Sequence, residues 1–153
     1  MVSQTLLDHE VAFALAGDAH PLFTAKDILL WTHSRHVAVP EADFLIITGP
    51  GGQNAISKLR RGSPEMPDTG ATVLFLLAQA LGETEKQRNV TITGPGIPPP
   101  GEKKMPAMPL YKGDMEAIQE ANREFPMGID CFFFDPLGAV VGLPRSAVIK
   151  RES

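Results

Sequence analysis

A chain of 153 residues with 43% hydrophobic content is long enough to build one domain with a real core and falls short of the usual length for two. Its 14 Lys and Arg against 18 Asp and Glu give a net charge of -4, and the basic residues come only in short clusters such as Lys58, Arg60, Arg61 and Lys103, Lys104; this argues against nucleic-acid binding and leaves room for a small patch facing an anionic substrate. The longest apolar run, 71–81, is well short of the roughly 20 residues that span a bilayer, which argues against a membrane segment.

Taken in order, "MVSQTLLDHE" lacks the basic and apolar regions of a secretory signal, and Ser3 is placed to cap a short helical turn. "VAFALA" (11–16) predicts a strand closed by Gly17 and Asp18. "KDILLWTHSRH" (26–36) predicts a helix capped by Asp27. "ADFLIIT" (42–48) predicts a strand, broken by glycines before a short helix "QNAISKLRR" (53–61) whose basic end suits the helix dipole. "GSPEMPDTGA" (62–71) is a loop by its prolines and glycines. "ATVLFLL" reads as strand rather than helix from Val73, Leu74 and Phe75, "ETEKQRN" (83–89) as a polar link, and "VTIT" (90–93) as a strand.

The stretch from Pro95 to Pro109 holds six of the 14 prolines and predicts a long irregular excursion, reaching to 112, with neither helix nor ladder. "GDMEAIQEANREFP" (113–126) predicts the clearest helix: Asp114 caps it, Met115, Ile118, Ala121 and Phe125 form its apolar face, and Pro126 stops it. "GIDCFFFDPLGAVVGLP" predicts an antiparallel hairpin turning at Asp135–Gly138. Interleaved strands and helices with a terminal hairpin give an α/β fold: a mixed sheet flanked by helices, in a single domain over 1–153.

The chemistry is sparse. "FLIITGPGG" (44–52) and "NVTITGPGI" (89–97) both run a strand into a Gly-Pro-Gly turn, yet neither supplies the Lys-Ser or Lys-Thr pair of a P-loop or the spacing of a dinucleotide fingerprint. The first copy does open a helix, so its free amides could hold an anion, but Pro50 removes one donor, and both read first as strand ends. His33 and His36, three apart, lack a nearby cysteine or carboxylate to complete a metal site, and His9 carries no assigned role. Cys131 cannot form an internal disulfide and, among apolar neighbours, reads as an inert buried thiol in a cytoplasmic protein. Asp130 points to the opposite strand face from Cys131 and needs a partner, for which Arg145 in "PRS" is the candidate, as a structural ion pair in preference to a substrate contact.

"FPMGIDCFFFDPLGAVVGLPRSAVI" (125–149) resembles the C-terminal signature of the PhnH family, a subunit of the bacterial carbon-phosphorus lyase core complex. "LRRGSPEMPDTGATVLFLL", "TITGPGI" and "LLDHEVAFAL" match further family segments in the same order, so the resemblance spans essentially the whole chain. It adds Asp68, Gly94 and Gly96 to Arg145 and Asp130 as ligand or structural candidates. It implies a fold similar to the large domain of pyridoxal-phosphate-dependent transferases without the cofactor, a homodimer, and assembly with the other core subunits. The implied role is a required but non-catalytic one in phosphonate metabolism, at the step that joins a phosphonate such as methylphosphonate to the ribose of ATP with loss of adenine. The family's N-terminal R-x-x-[LM]-x-A-[ML]-x-x-P-G type motif has no match ahead of the first segment.

Under that reading no cofactor or metal is expected, and Lys103 and Lys104 in the proline-rich excursion are docking candidates. A free-standing enzyme using the TGPG turns, Arg145 and the Arg60–Arg61 pair on a phosphorylated or phosphonate ligand is the alternative, and a regulatory dimer is a third.

Overall fold

The protein is described from a computed structural model, which covers residues 2–18, 24–83 and 90–151, without the side chains of Val2, Ser3 and Arg151. Ser3 as a side-chain cap, and residues 84–89 of the polar link, lie outside what is described. Among the described residues no helix is long and apolar enough to cross a membrane.

Helix α1 (Val2–Leu6) leads into β1 (Ala12–Gly17), α2 (Ala25–Thr32) and the two-residue β2 (Arg35–His36). Then come β3 (Phe44–Thr48), α3 (Gly52–Ile56), β4 (Thr72–Leu76), β5 (Val90–Thr93), β6 (Lys103–Met105) and α4 (Asp114–Ala121). The chain closes with β7 (Asp130–Phe134), β8 (Val140–Leu143) and β9 (Val148–Arg151). Six strands form a mixed sheet in the order β2-β1-β3-β4-β7-β8, parallel throughout except for the β7–β8 hairpin. A smaller antiparallel sheet runs β6-β5-β9.

The apolar runs are continuous because the central strands are covered on both faces. Leu45, Ile47, Val73, Phe75, Cys131 and Phe133 point to one side and pack with Ile56, Leu59, Ile118 and the small sheet's Ile92 and Met105. Ile46 and Leu74, one residue out of phase, face the other way with Phe13 onto Leu7 and Ile28. The rings of Phe75 and Phe133 stack with centroids 4.9 Å apart across β4 and β7, and burying such a ring is worth about 3 kcal/mol.

Several expectations are corrected. Thr24, not Asp27, is the N-cap of α2: its hydroxyl accepts the Asp27 amide while the Asp27 carboxylate accepts the Thr24 amide at 2.7 Å, a capping box. That helix stops at Thr32 because His33 turns left-handed (φ 57°), which frees Arg35 and His36 to pair with β1. Helix α3 ends at Ile56, so the basic run Lys58–Arg61 is not its C-terminus.

In α4 the cap is Gly113 (φ 94°), Asp114 is the first helical residue, and the helix ends at Ala121, before Pro126 is reached. Phe125 therefore leaves the apolar face and is 62% exposed. The proline-rich excursion does form a ladder: the proline-free Lys103-Lys104-Met105 segment pairs with β5 in the register Val90↔Met105. Proline excludes only the residues it occupies.

The hairpin is as expected, and Asp135 fixes its turn. Its Oδ1 accepts the amides of Leu137 (2.9 Å) and Ala139 (2.8 Å), and its Oδ2 accepts that of Leu81 (3.1 Å), which together hold the carboxyl below its usual value.

Candidate functional site

The motif residues converge at the amino-terminal end of β4 and β7. Arg145 follows β8, and its backbone amide donates to Asp130 Oδ1 at 2.8 Å. Its guanidinium donates to Asp130 Oδ2 from Nε (3.1 Å) and Nη2 (2.6 Å), and Nη1 donates to the carbonyl of Pro67. The Arg145 side chain is only 14% exposed. Burial alone would raise the Asp130 carboxyl, but the bonds and charge of Arg145 hold it below its ordinary value.

Glycines let the segments close on this arginine. A Cβ on Gly70 would lie 2.3 Å from the Gly128 carbonyl oxygen and 2.7 Å from Arg145 Nη1. A Cβ on Gly94 would lie 2.9 Å from the carbonyl oxygen of Ser146, so the second TGPG turn seats the small sheet on the Pro144–Ala147 turn. Gly96 is outside this joint: nothing lies within 4 Å of its virtual Cβ, and it supplies only a positive φ.

Asp68 sits beside the joint, exposed, on a crevice of about 370 Å³ shared with Val11, Asp43, Phe44, Arg60 and Thr72. Arg60 is paired there with Asp43, whereas Arg61 reaches the Glu120 carbonyl at 3.5 Å, so the two arginines part and form no common anion patch.

The opposite end of the sheet carries different chemistry. In the order β2-β1-β3-β4 the strands after β1 are added first on one side of it and then on the other, and in open α/β sheets ligands bind outside the carboxyl ends of the strands at such a switch point. The first TGPG turn stands there. Gly17, ending β1, approaches β3 so closely that a Cβ would lie 2.0 Å from the Thr48 carbonyl oxygen, and Thr48 Oγ1 donates to the Asp18 carbonyl at 2.5 Å. Gly49 (φ 85°) and Gly51 (φ 93°) then turn the chain into α3.

The head of α3 meets the head of α4. Asp114 is 1% exposed, and a Cβ on Gly52 would lie 3.0 Å from its Oδ1. Gln53 in turn packs its Cγ 3.3 Å from the virtual Cβ of Gly113. Asp114 Oδ2 accepts the Tyr111 amide at 3.3 Å, whereas Asp114 Oδ1 and Gln53 Oε1 are buried without a hydrogen-bond partner. Burial raises the Asp114 carboxyl, Glu116 adds to this, and the backbone amides of Tyr111 and Gln53 offset part of it. Beyond Tyr111 a crevice of about 180 Å³ opens between Ala78, Gln79, Pro109 and Leu110. A desolvated carboxyl whose partner Tyr111 lines a crevice, at the carboxyl end of a parallel sheet, is a functional-site candidate on physical grounds.

Sequence reading placed Asp114 as a cap and treated the first TGPG turn as a strand end. The strand order that gives both their position is not readable from local pattern.

The remaining candidates lie apart. Lys103 and Lys104 are on exposed edge strand β6. His36 stacks on Phe13 with centroids 5.1 Å apart, and among the described residues no group of three or more His, Cys, Asp and Glu is placed to hold a metal. Cys131 is fully buried, which pushes its thiol far above the ordinary value, with the Asp130 charge adding to this.

The family model described as "Bacterial phosphonate metabolism protein (PhnH)" matches residues 1–150. A search of the curated proteins found no match.

Proposed function

The chain belongs to the PhnH family of bacterial phosphonate metabolism proteins, and from that premise we propose that it is a required, non-catalytic subunit of the carbon-phosphorus lyase core complex. It would support the step that couples a phosphonate to the ribose of ATP with release of adenine, in the cytoplasm and without a cofactor of its own. The observation that carries the reading is the family match over essentially the whole chain.

Two structural features support it. The motif residues Arg145, Asp130 and Gly70 are engaged with one another in a close-packed joint, the arrangement of a framework. The β7–β8 hairpin presents Phe132 (38% exposed), Leu137 (78%) and Val140 (54%) at an open sheet edge with no proline or charge on β8, and such edges are sites of association. On this reading a homodimer or companion-subunit contact uses that edge. The parallel core with an antiparallel outer strand also supports likeness to the large domain of pyridoxal-phosphate-dependent transferases.

The test is complementation and co-purification. In a bacterium deleted for its own member of the family, this chain should restore growth on methylphosphonate as sole phosphorus source and co-purify with the companion subunits. Lys103→Glu with Lys104→Glu should leave the fold intact and weaken that co-purification if β6 is a docking edge. Failure to co-purify, joined to a Tm raised by ATP or methylphosphonate on the isolated chain, would move the assignment to a free-standing enzyme.

A further inference from the structure

The contact between α3 and α4 buries two acceptors that lack a hydrogen-bond partner. Asp114 Oδ1 is buried against Gly52, Gln53 packs across Gly113, and neither Asp114 Oδ1 nor Gln53 Oε1 has a partner. A buried polar atom without a partner is destabilising, because it has given up water and gained no hydrogen bond in return. An ionised carboxylate there would also need a counter-charge. The facing groups supply none: Gly52 and Gln53 of α3 and Ile47 of β3 do not titrate, Tyr111 and Gln53 offer only backbone amides, and Glu116 of α4 adds a like charge.

We propose that Asp114 carries a proton in the folded protein and donates it to Gln53 Oε1, so that a carboxylic acid–amide hydrogen bond locks the head of α4 to the head of α3. One proton then satisfies both orphan atoms. Through α3 the bond also holds the Gly49-Pro50-Gly51 turn at the point where the sheet order reverses. Losing the proton places a bare charge in the contact and loosens that turn, which makes the lock pH-sensitive.

The sign follows from burial raising this acid. The folded state binds the proton more tightly than the unfolded state, so the contribution is complete below the ordinary carboxyl value of 3.8 and is lost as pH rises through the folded value.

The experiment is a carbon-13 NMR titration of the side-chain carboxyls of the full chain, with Asp114→Asn used to assign the signal. The Asp114 resonance should keep its protonated position after the other aspartates have ionised. Asp114→Asn, which mimics the neutral acid, should be at least as stable as the parent at neutral pH. Titration of Asp114 at or below the ordinary value would overturn the proposal, because it would mean that a rotated Gln53 amide donates from Nε2 to a charged carboxylate. Marked loss of stability in Asp114→Asn at neutral pH would overturn it equally.

Discussion

Replacing Arg145 by Ala tests whether the motif joint is a structural clasp. The guanidinium makes two charge-assisted bonds to Asp130 and one to the Pro67 carbonyl, and its side chain is 14% exposed. Breaking a fully buried pair from one side costs roughly 3–5 kcal/mol. The Asp130 side chain is 33% exposed and keeps the Arg145 backbone amide, so water recovers part of the loss. That leaves about 2–4 kcal/mol, or a Tm lowered by roughly 5–12 °C in a domain of this size. Arg145→Lys keeps the charge without the fork and should lose about half as much.

Urea denaturation at several pH values measures both the loss and its origin. Asp130 is held below its ordinary value of 3.8, so its contribution is present above that value and fades as pH falls through the folded value. The gap between parent and Arg145→Ala should therefore narrow in acid. A loss under about 0.5 kcal/mol, the size of an ordinary surface change, would refute the clasp and return Arg145 to the pool of ligand contacts.

Three further outcomes are expected. Gly70→Ala should be more damaging than an exposed glycine change, because its Cβ would meet the Gly128 carbonyl oxygen at 2.3 Å; a thermal scan against Gly142→Ala, whose Cβ would meet only the Phe132 ring at 3.4 Å, makes the comparison. Phe133→Ala should cost about 3–5 kcal/mol in a denaturant titration, since the ring is fully buried and stacked on Phe75. Asp135→Ala should speed hydrogen exchange at the amides of Leu81, Leu137 and Ala139, which its carboxylate accepts, while those of the β3–β4 ladder stay protected.

Local pattern was enough for most elements. Strands β1, β3, β4, β5 and the β7–β8 hairpin announce themselves by short β-branched or aromatic runs bounded by Gly, Pro and Asp, because backbone preference and turn chemistry act over a few residues. The pairing of Asp130 with Arg145 was legible for the same reason: a carboxylate in an apolar strand needs a cation, and the hairpin places one opposite.

Helix ends were less legible. Whether Asp27 or Thr24 caps α2, or whether Phe125 stays on the face of α4, depends on small differences between competing hydrogen bonds and on where the chain must turn to reach the next strand. Strand β6 was hidden by prolines on either side of three residues that pair only because β5 lies alongside.

What the sequence determined by itself was the α/β class, the family signature and the ion pair, each carried by residues close together or joined by one hairpin. The tertiary structure alone decided that Gly70 closes on the Asp130–Arg145 pair at one end of the sheet while the first TGPG turn, Gln53 and Asp114 meet at the other. Both groupings follow from the order in which parallel strands pair. That order is set by long-range burial between segments tens of residues apart, which no local run of residues encodes.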